Sequence, residues 1–278
     1  MANFPFSGEI ISIIGSAVLG YSIEYYRSRA KIRKIRRSYQ QPYQVPTKDR
    51  RNITILIGLG GSGKTNLIKT LLDNDQANPN ERTENFDIYY STYNSGVMEK
   101  IGRRTKKQKS SEQYKYWLFI SDYKGQNLGT LISAFIQQQK REYSPLAYGH
   151  INSLILVVDL LAPKKKKNDP EISPQDHMDM ARIKKNIEQW NETALDAVFG
   201  LLTRELEYVC LFINKVDLMT QRGHEKDQSY IEAYDELKTK MDKRYGSEVE
   251  VLLGSAQDGT NVNTLKSRLI EHSVPNNS

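Results

Sequence analysis

Residues 52–72 read N-I-T-I-L-I-G-L-G-G-S-G-K-T-N-L-I-K-T-L-L, and no other stretch restricts the fold as tightly. Asn52 to Ile57 is a β-branched apolar run of the kind that forms buried parallel strands. Gly58 to Thr65 follow, and Asn66 opens a segment with helical spacing. Strand, glycine-rich loop and helix in that order form a P-loop. Glycines let consecutive backbone N–H groups curve around a phosphate, and the helix N-terminus adds partial positive charge. The phosphate-binding candidates are therefore Gly58, Gly60, Gly61, Ser62, Gly63, Lys64, Thr65 and Asn66. Lys64 is placed to reach terminal phosphates, and the Thr65 hydroxyl to coordinate Mg²⁺.

A P-loop specifies a nucleoside triphosphate but neither the base nor the reaction. The base is addressed by Asn214, Lys215, Val216 and Asp217, which follow the apolar run Y-V-C-L-F-I. They fall at a strand's C-terminal end, the edge where doubly wound sheets bind ligands. A carboxylate at Asp217 can accept two hydrogen bonds, from N1–H and the exocyclic amine of guanine. Adenine presents no such pair. Val249 to Leu253 form a further strand ending in G-S-A-Q, so Ser255, Ala256 and Gln257 complete the base-side candidates.

A third segment, Y-W-L-F-I-S-D-Y-K-G-Q, ends an apolar strand with Asp122, Gly125 and Gln126. Asp122 suits the magnesium shell. Gly125 leaves a backbone N–H open to a γ-phosphate, and Gln126 could orient an attacking water.

With these residues in hand, the chain resembles the small GTPases of the Ras and Arf kind, within the translation-factor-related P-loop GTPases. Gly58–Thr65 match the phosphate loop, Asp122–Gly125 match D-x-x-G, Asn214–Asp217 match N-K-x-D, and Ser255–Gln257 match the weaker S-A-x segment, all in the family's order. The resemblance implies an α/β fold with a mainly parallel six-stranded sheet and helices on both faces, binding GTP or GDP with Mg²⁺. It further implies a catalytic set of Gln126, Lys64 and Gly125, and metal coordination by Thr65, Asp122 and a switch threonine. Thr83, in E-R-T-E-N-F-D-I-Y-Y, is the candidate for that threonine; Thr92 lies inside a strand-like run and Thr105 inside a basic loop.

The chain departs from the family in two insertions. Residues 95–113, with Arg103, Arg104, Lys106, Lys107 and Lys109, lengthen the connection between the second and third strands. They read as a solvated hairpin tip or a second contact with anionic membrane. The other insertion, near 160–200, follows the strand that ends at Asp159. A proline-punctuated loop, P-K-K-K-K-N-D-P-E-I-S-P, leads to a helix start at Ser173, Pro174 and Asp176. The helical pattern then runs to about Glu207, too long for one ordinary crossover, with a break expected near Gly200. This element is expected to serve partner binding. In D-Y-K-G-Q, Tyr123 and Lys124 also replace residues that are small in Ras-like proteins.

The N-terminus carries a separate device. Residues 10–23 contain no charge, and Arg27, Arg29, Lys31, Arg33, Lys34, Arg36 and Arg37 follow at once. These seven cations equal the whole net charge of +7, so the rest of the chain is formally neutral. The basic balance is thus local, and no basic face for specific nucleic-acid binding is expected. The uncharged core is short for a bilayer, which needs ~20 residues, but Phe4 to Tyr26 restores the length. A single span with the bulk of the chain cytoplasmic agrees with the cations on its C-terminal side. A signal peptide would carry them before the apolar region. An interfacial helix with Ile10, Ile14, Val18, Tyr21 and Tyr25 on one face also fits, as does a helix packed on the domain. Residues 1–26 are read as a membrane anchor, 27–51 as a basic juxtamembrane segment and linker, and 52–278 as the nucleotide-binding domain.

Other chemistries are poorly supported. The single cysteine, Cys210, sits in an apolar strand, and the four histidines lack metal-ligand spacing. Mean hydropathy of −0.62 excludes a polytopic membrane protein. The expectation is a membrane-tethered GTPase that hydrolyses GTP slowly and switches an effector protein, with a GTPase activator to stimulate it. The alternative is a GTP-binding scaffold or receptor subunit with little turnover. The β subunit of the signal-recognition-particle receptor is similar in layout, a span followed by an Arf-like GTPase domain; this chain departs from it at Gln126 and in residues 163–200. A P-loop kinase or ATPase is opposed by N-K-V-D and by the lack of a lid-like arginine set.

Overall fold

The apolar run that opens the P-loop segment becomes the central strand of a mixed sheet. The computed structural model describes residues 48–72, 86–94, 115–123, 151–163, 174–202 and 206–275. The strands are β1 (Arg50–Ile57), β2 (Phe86–Asn94), β3 (Lys115–Tyr123), β4 (Ser153–Asp159), β5 (Tyr208–Asn214), β6 (Glu250–Leu253) and β7 (Val274–Pro275). Their order is β2-β3-β1-β4-β5-β6, with β7 paired to β1. Strands β3, β1, β4, β5 and β6 run parallel, and β2 and β7 are antiparallel to their neighbours.

The expected six-stranded sheet therefore gains a seventh strand. β7 is two residues long and is held by Arg50↔Pro275 and Arg51↔Val274, too short for any periodicity to show it. The linker expected through residue 51 also ends sooner, because Arg50 and Arg51 belong to β1. Asp49 is already buried, accepting from the Lys115 N–H and from Trp117 Nε1, both at 2.9 Å.

Six α-helices are described: α1 (Lys64–Leu72), α2 (Met180–Gln189), α3 (Glu192–Leu201), α4 (His224–Glu232), α5 (Asp235–Tyr245) and α6 (Val262–Glu271). Side chains alternate across a strand, and this divides the core. Leu56, Leu118, Ile120, Ile155, Val157, Cys210 and Phe212 cluster with Leu67, Ile68 and Leu71 of α1 and with Leu265 and Leu269 of α6. Each such fully buried aliphatic contributes ~1.5–3 kcal/mol. The alternate residues, among them Ile55, Leu154, Leu156, Leu211 and Ile213, are buried as well, which calls for cover on the opposite face. There α2 packs on β4 and α3 on α5, burying Ile183, Trp190, Leu195 and Leu237.

The second insertion differs from the reading in two details. Its helix starts at Met180, with Asp179 as the cap accepting from the Arg182 N–H at 3.0 Å. Residues nearer the proline instead pair with the chain after β5, through the Gln175↔Met219 bridge. The helical stretch breaks at Trp190–Asn191, where the Asn191 side chain accepts from the Ala194 N–H and starts a new helix. Gly200 lies inside the last turn of α3.

Among the described residues no helix is long and apolar enough to cross a membrane. The apolar stretch 10–23, the basic run 27–37, the insertion 95–113 and the lysine run 164–167 lie outside the described residues.

Candidate functional site: a glycine loop joined to two strand ends

The loop after β1 is shaped by backbone conformations that side chains rarely adopt. Gly58, Gly61 and Gly63 have φ of 154°, 79° and 92°. A methyl group at Gly58 would stand 2.2 Å from the Val157 carbonyl oxygen, and one at Gly63 2.3 Å from Asn214 Nδ2. At Gly61 it would meet Pro163, so the chain leaving β4 passes directly over the loop. The Leu67 N–H to Gly63 carbonyl bond, 2.9 Å, closes the first turn of α1. Lys64 is buried, and its ammonium donates to the carbonyls of Gly58 at 2.9 Å and Leu59 at 3.2 Å. Gly61 is exposed, and Gly60, Gly63, Thr65 and Asn66 are half-buried, so the loop opens to solvent. Ser62 is turned inward, with no exposed surface.

The Asn214–Asp217 turn and the Ser255–Gln257 loop join this loop through Asn214. Its Nδ2 donates to the Ser62 carbonyl at 2.8 Å, and its Oδ1 accepts from the Ala256 N–H at 2.9 Å. One buried side chain thus fastens the glycine loop, the end of β5 and the loop after β6. Thr70 of α1 adds a second tie, donating to the Ala256 carbonyl at 2.8 Å. The Ser255 hydroxyl accepts from the N–H groups of Gln257 and Asp258, both at 3.1 Å, and tightens that loop. Gly254 has no room for a side chain, since a methyl group would lie 2.6 Å from both Phe212 and the Thr260 carbonyl. Asp217 is half-buried in a short 3₁₀ turn, Val216–Leu218, and Gln257 is exposed.

Lys64 and Asp217 accordingly occupy the same C-terminal edge of the sheet. Asp122 reaches that edge too. It follows the Ile55↔Ser121 pair, so its backbone runs beside the residues leading into the loop. Thr83, Gly125 and Gln126 lie outside the described residues.

Beneath the loop lies a charged cluster that the sequence did not announce. Asp159 ends β4 in register with Asn214 and is fully buried. Lys215 Nζ binds one of its oxygens at 2.6 Å, and Arg182 Nε binds the other at 2.7 Å. Asn186 donates to the same carboxylate at 3.1 Å, and the Tyr234 hydroxyl to the Asp159 carbonyl at 2.7 Å. Burial lowers the pKa of Lys215, while the facing Asp159 carboxylate opposes that shift. Lys215 also has φ of 70°, strain that its bonds to Asp159 and the Leu161 carbonyl help to hold. Two cations thus share one buried carboxylate below the loop, in a setting where little water screens the pair. A strand-terminal acid was the sole sequence signal for Asp159. Arg182, within an unremarkable helix, gave none.

Together these elements define a P-loop α/β fold whose glycine loop, N-K-x-D turn and S-A-Q loop form one edge. Neither a protein-family model nor a curated protein sequence matches the chain. Among solved structures, a bacterial selenocysteine-specific elongation factor, EF-Sec, is similar at a TM-score of 0.46 and 17% identity, covering 79% of this chain and 28% of that one. The Arl6 BBS3 small GTPase from Trypanosoma brucei with a bound nucleotide analogue, GppNp, is similar at a TM-score of 0.46 and 16% identity, covering 80% and 96%.

Proposed function

We propose that this chain binds GTP and GDP with Mg²⁺, hydrolyses GTP, and acts as a nucleotide-dependent switch for a protein partner. The observation that carries the reading is the pair of hydrogen bonds of the Asn214 amide, which donates to the Ser62 carbonyl and accepts from the Ala256 N–H. It brings a phosphate-binding loop and an acid suited to guanine to one sheet edge. The groups present fit the ligand chemically: a positive-φ glycine loop at a helix N-terminus, a buried lysine beside it, and an open mouth. Thr65 and Asp122 would hold the magnesium ion, which supplies charge neutralisation on the phosphates. Asp217 would orient the base, and Gln126 would orient water. Thr83 and the segment from Asp122 to Gln126 would change partner contacts when the γ-phosphate is lost. The apolar stretch 10–23 and its following cations would tether the chain to a membrane, with the nucleotide domain on the cytoplasmic side.

Fluorescent mant-GTP binding, with GTP, ATP and GDP as competitors, tests the nucleotide claim. The expected result is guanine selectivity that falls by roughly 100-fold or more in Asp217→Ala, since two charge-assisted hydrogen bonds of ~1.5–3 kcal/mol each are lost. Equal affinity for ATP, or an unchanged preference in the variant, would overturn it. Single-turnover phosphate release, wild type against Gln126→Leu, separates a hydrolysing switch from a scaffold. Carbonate against detergent extraction of the full chain tests the tether; release without detergent removes it.

A further inference from the structure

Arg182 stands in the first turn of α2 with 6% of its surface exposed, and it spans two structures. Its Nε donates to Asp159 Oδ1 at 2.7 Å, and its Nη2 donates to the carbonyl oxygen of Gly60 at 3.0 Å. Gly60 lies within the phosphate loop, whereas Asp159 ends a central strand and is itself braced by Lys215, Asn186 and Tyr234. The guanidinium is a planar fork, so fixing one edge on a buried carboxylate also fixes the direction of the other.

That geometry has a consequence for the next amide. A peptide unit is planar and trans, so its C=O and N–H point in opposite directions. Anchoring the Gly60 carbonyl on Arg182 turns the Gly61 N–H away from the arginine. Gly61 is the exposed residue of the loop, with φ of 79°.

We propose that Arg182, braced by Asp159, is a positioning residue for the phosphate loop, holding the Gly60–Gly61 peptide with its N–H presented to the phosphate chain of a nucleoside di- or triphosphate. This rests on the nucleotide-binding reading above and deepens it. Arg182 acts on the polyphosphate and is remote in role from the base, which Asp217 addresses. Lysine cannot replace it, because one ammonium on a flexible stem does not reproduce the rigid fork.

The test uses the full chain and mant-GTP, with unlabelled GTP, GDP and ITP as competitors. ITP lacks the 2-amino group, so the GTP-to-ITP ratio reports the base site alone. The variants are Arg182→Met, Arg182→Lys and Asp49→Ala. The last removes the acceptor of the Lys115 N–H and the Trp117 indole at the far edge of the sheet, touching neither Asp159 nor the loop, and so controls for general loosening. Both Arg182 variants are expected to weaken GTP and GDP by about tenfold or more, with the GTP-to-ITP ratio unchanged, while Asp49→Ala stays within about twofold of wild type. Should Arg182→Met fail to fold, Arg182→Lys, which keeps a cation opposite Asp159, decides the matter. Wild-type affinity in a folded Arg182 variant overturns the proposal, as does an equal loss in Asp49→Ala or a collapse of the GTP-to-ITP ratio. A wild-type chain that binds no guanine nucleotide overturns the functional reading itself, and is distinguished because it appears before any variant is made.

Discussion

Asn214 Nδ2 lies 2.8 Å from the Ser62 carbonyl oxygen, across 152 positions of sequence, while the other end of the same amide holds the Ala256 N–H. No substitute of similar size offers both a donor and an acceptor in this plane. Asn214→Ala leaves a buried carbonyl and a buried N–H without partners, at ~1–3 kcal/mol each. The nucleotide-free protein should lose about 2–6 kcal/mol in urea unfolding. Asn214→Asp keeps the acceptor toward Ala256 but sets a carboxylate against a carbonyl, and should be no better. A loss under ~1 kcal/mol in Asn214→Ala would show that the three segments are held together by other contacts.

Two glycines with positive φ separate conformational strain from crowding. Gly58 and Gly259 have φ of 154° and 84°. An alanine methyl at Gly259 would meet nothing nearer than Thr70 Cγ2 at 3.8 Å, whereas at Gly58 it would overlap the Val157 carbonyl. Gly259→Ala should cost ~1–2 kcal/mol, the ordinary penalty for a side chain in left-handed backbone. Gly58→Ala adds displacement of a central strand, and should exceed ~4 kcal/mol or prevent folding. Equal costs at the two sites would mean that β4 yields readily.

Asp49 supplies a third test, at the opposite edge of the sheet. It is 2% exposed and accepts from the Lys115 N–H and the Trp117 indole, clasping the start of β1 to the start of β3. Asp49→Ala should destabilise the protein by ~1–3 kcal/mol and shift Trp117 emission to longer wavelength as the indole turns to water. An unchanged spectrum would place the indole's anchor elsewhere, for instance in its stacking with Tyr90 and Phe119.

The parts of this fold that were legible in sequence are those written in strong local code. β4 and β5 are buried along their whole length, and their unbroken apolar runs say so. The glycine loop and N-K-V-D carry chemistry in fixed order, so their meeting at one edge could be expected. The break in the second insertion falls at Asn191 and not at Gly200 because capping outweighs a lone glycine there: Asn191 and Asp179 accept from backbone N–H groups three residues on, and those bonds start the helices. β7 and Arg182 were invisible for a different reason. The two-residue strand pairs with residues at the other end of the domain, and the helical arginine gains its hold on the loop from a carbonyl 122 positions before it, which no local pattern encodes.

The last expectation concerns alkaline pH. Cys210 is fully buried, and burial pushes its thiol up to about 12. Tyr208, two residues earlier on the same strand, is raised as well, first by burial and then by Cys210 and by its hydrogen bond to Glu250. Both groups bind protons more tightly folded than unfolded. Their contribution is therefore complete below the unfolded values, near 9.0 for the thiol and 10.0 for the phenol. It is lost as pH rises from there toward the folded values. Stability should fall from about pH 9, with the thiol alone contributing a slope that approaches ~1.4 kcal/mol per pH unit by pH 10. Cys210→Ala should lower stability at pH 7 through lost packing, yet flatten the curve between pH 9 and 10; Tyr208→Phe should flatten it above pH 10. Urea titrations at half-unit steps read this directly, and a Cys210→Ala curve parallel to wild type across that interval would show that the thiol ionises without opening the sheet.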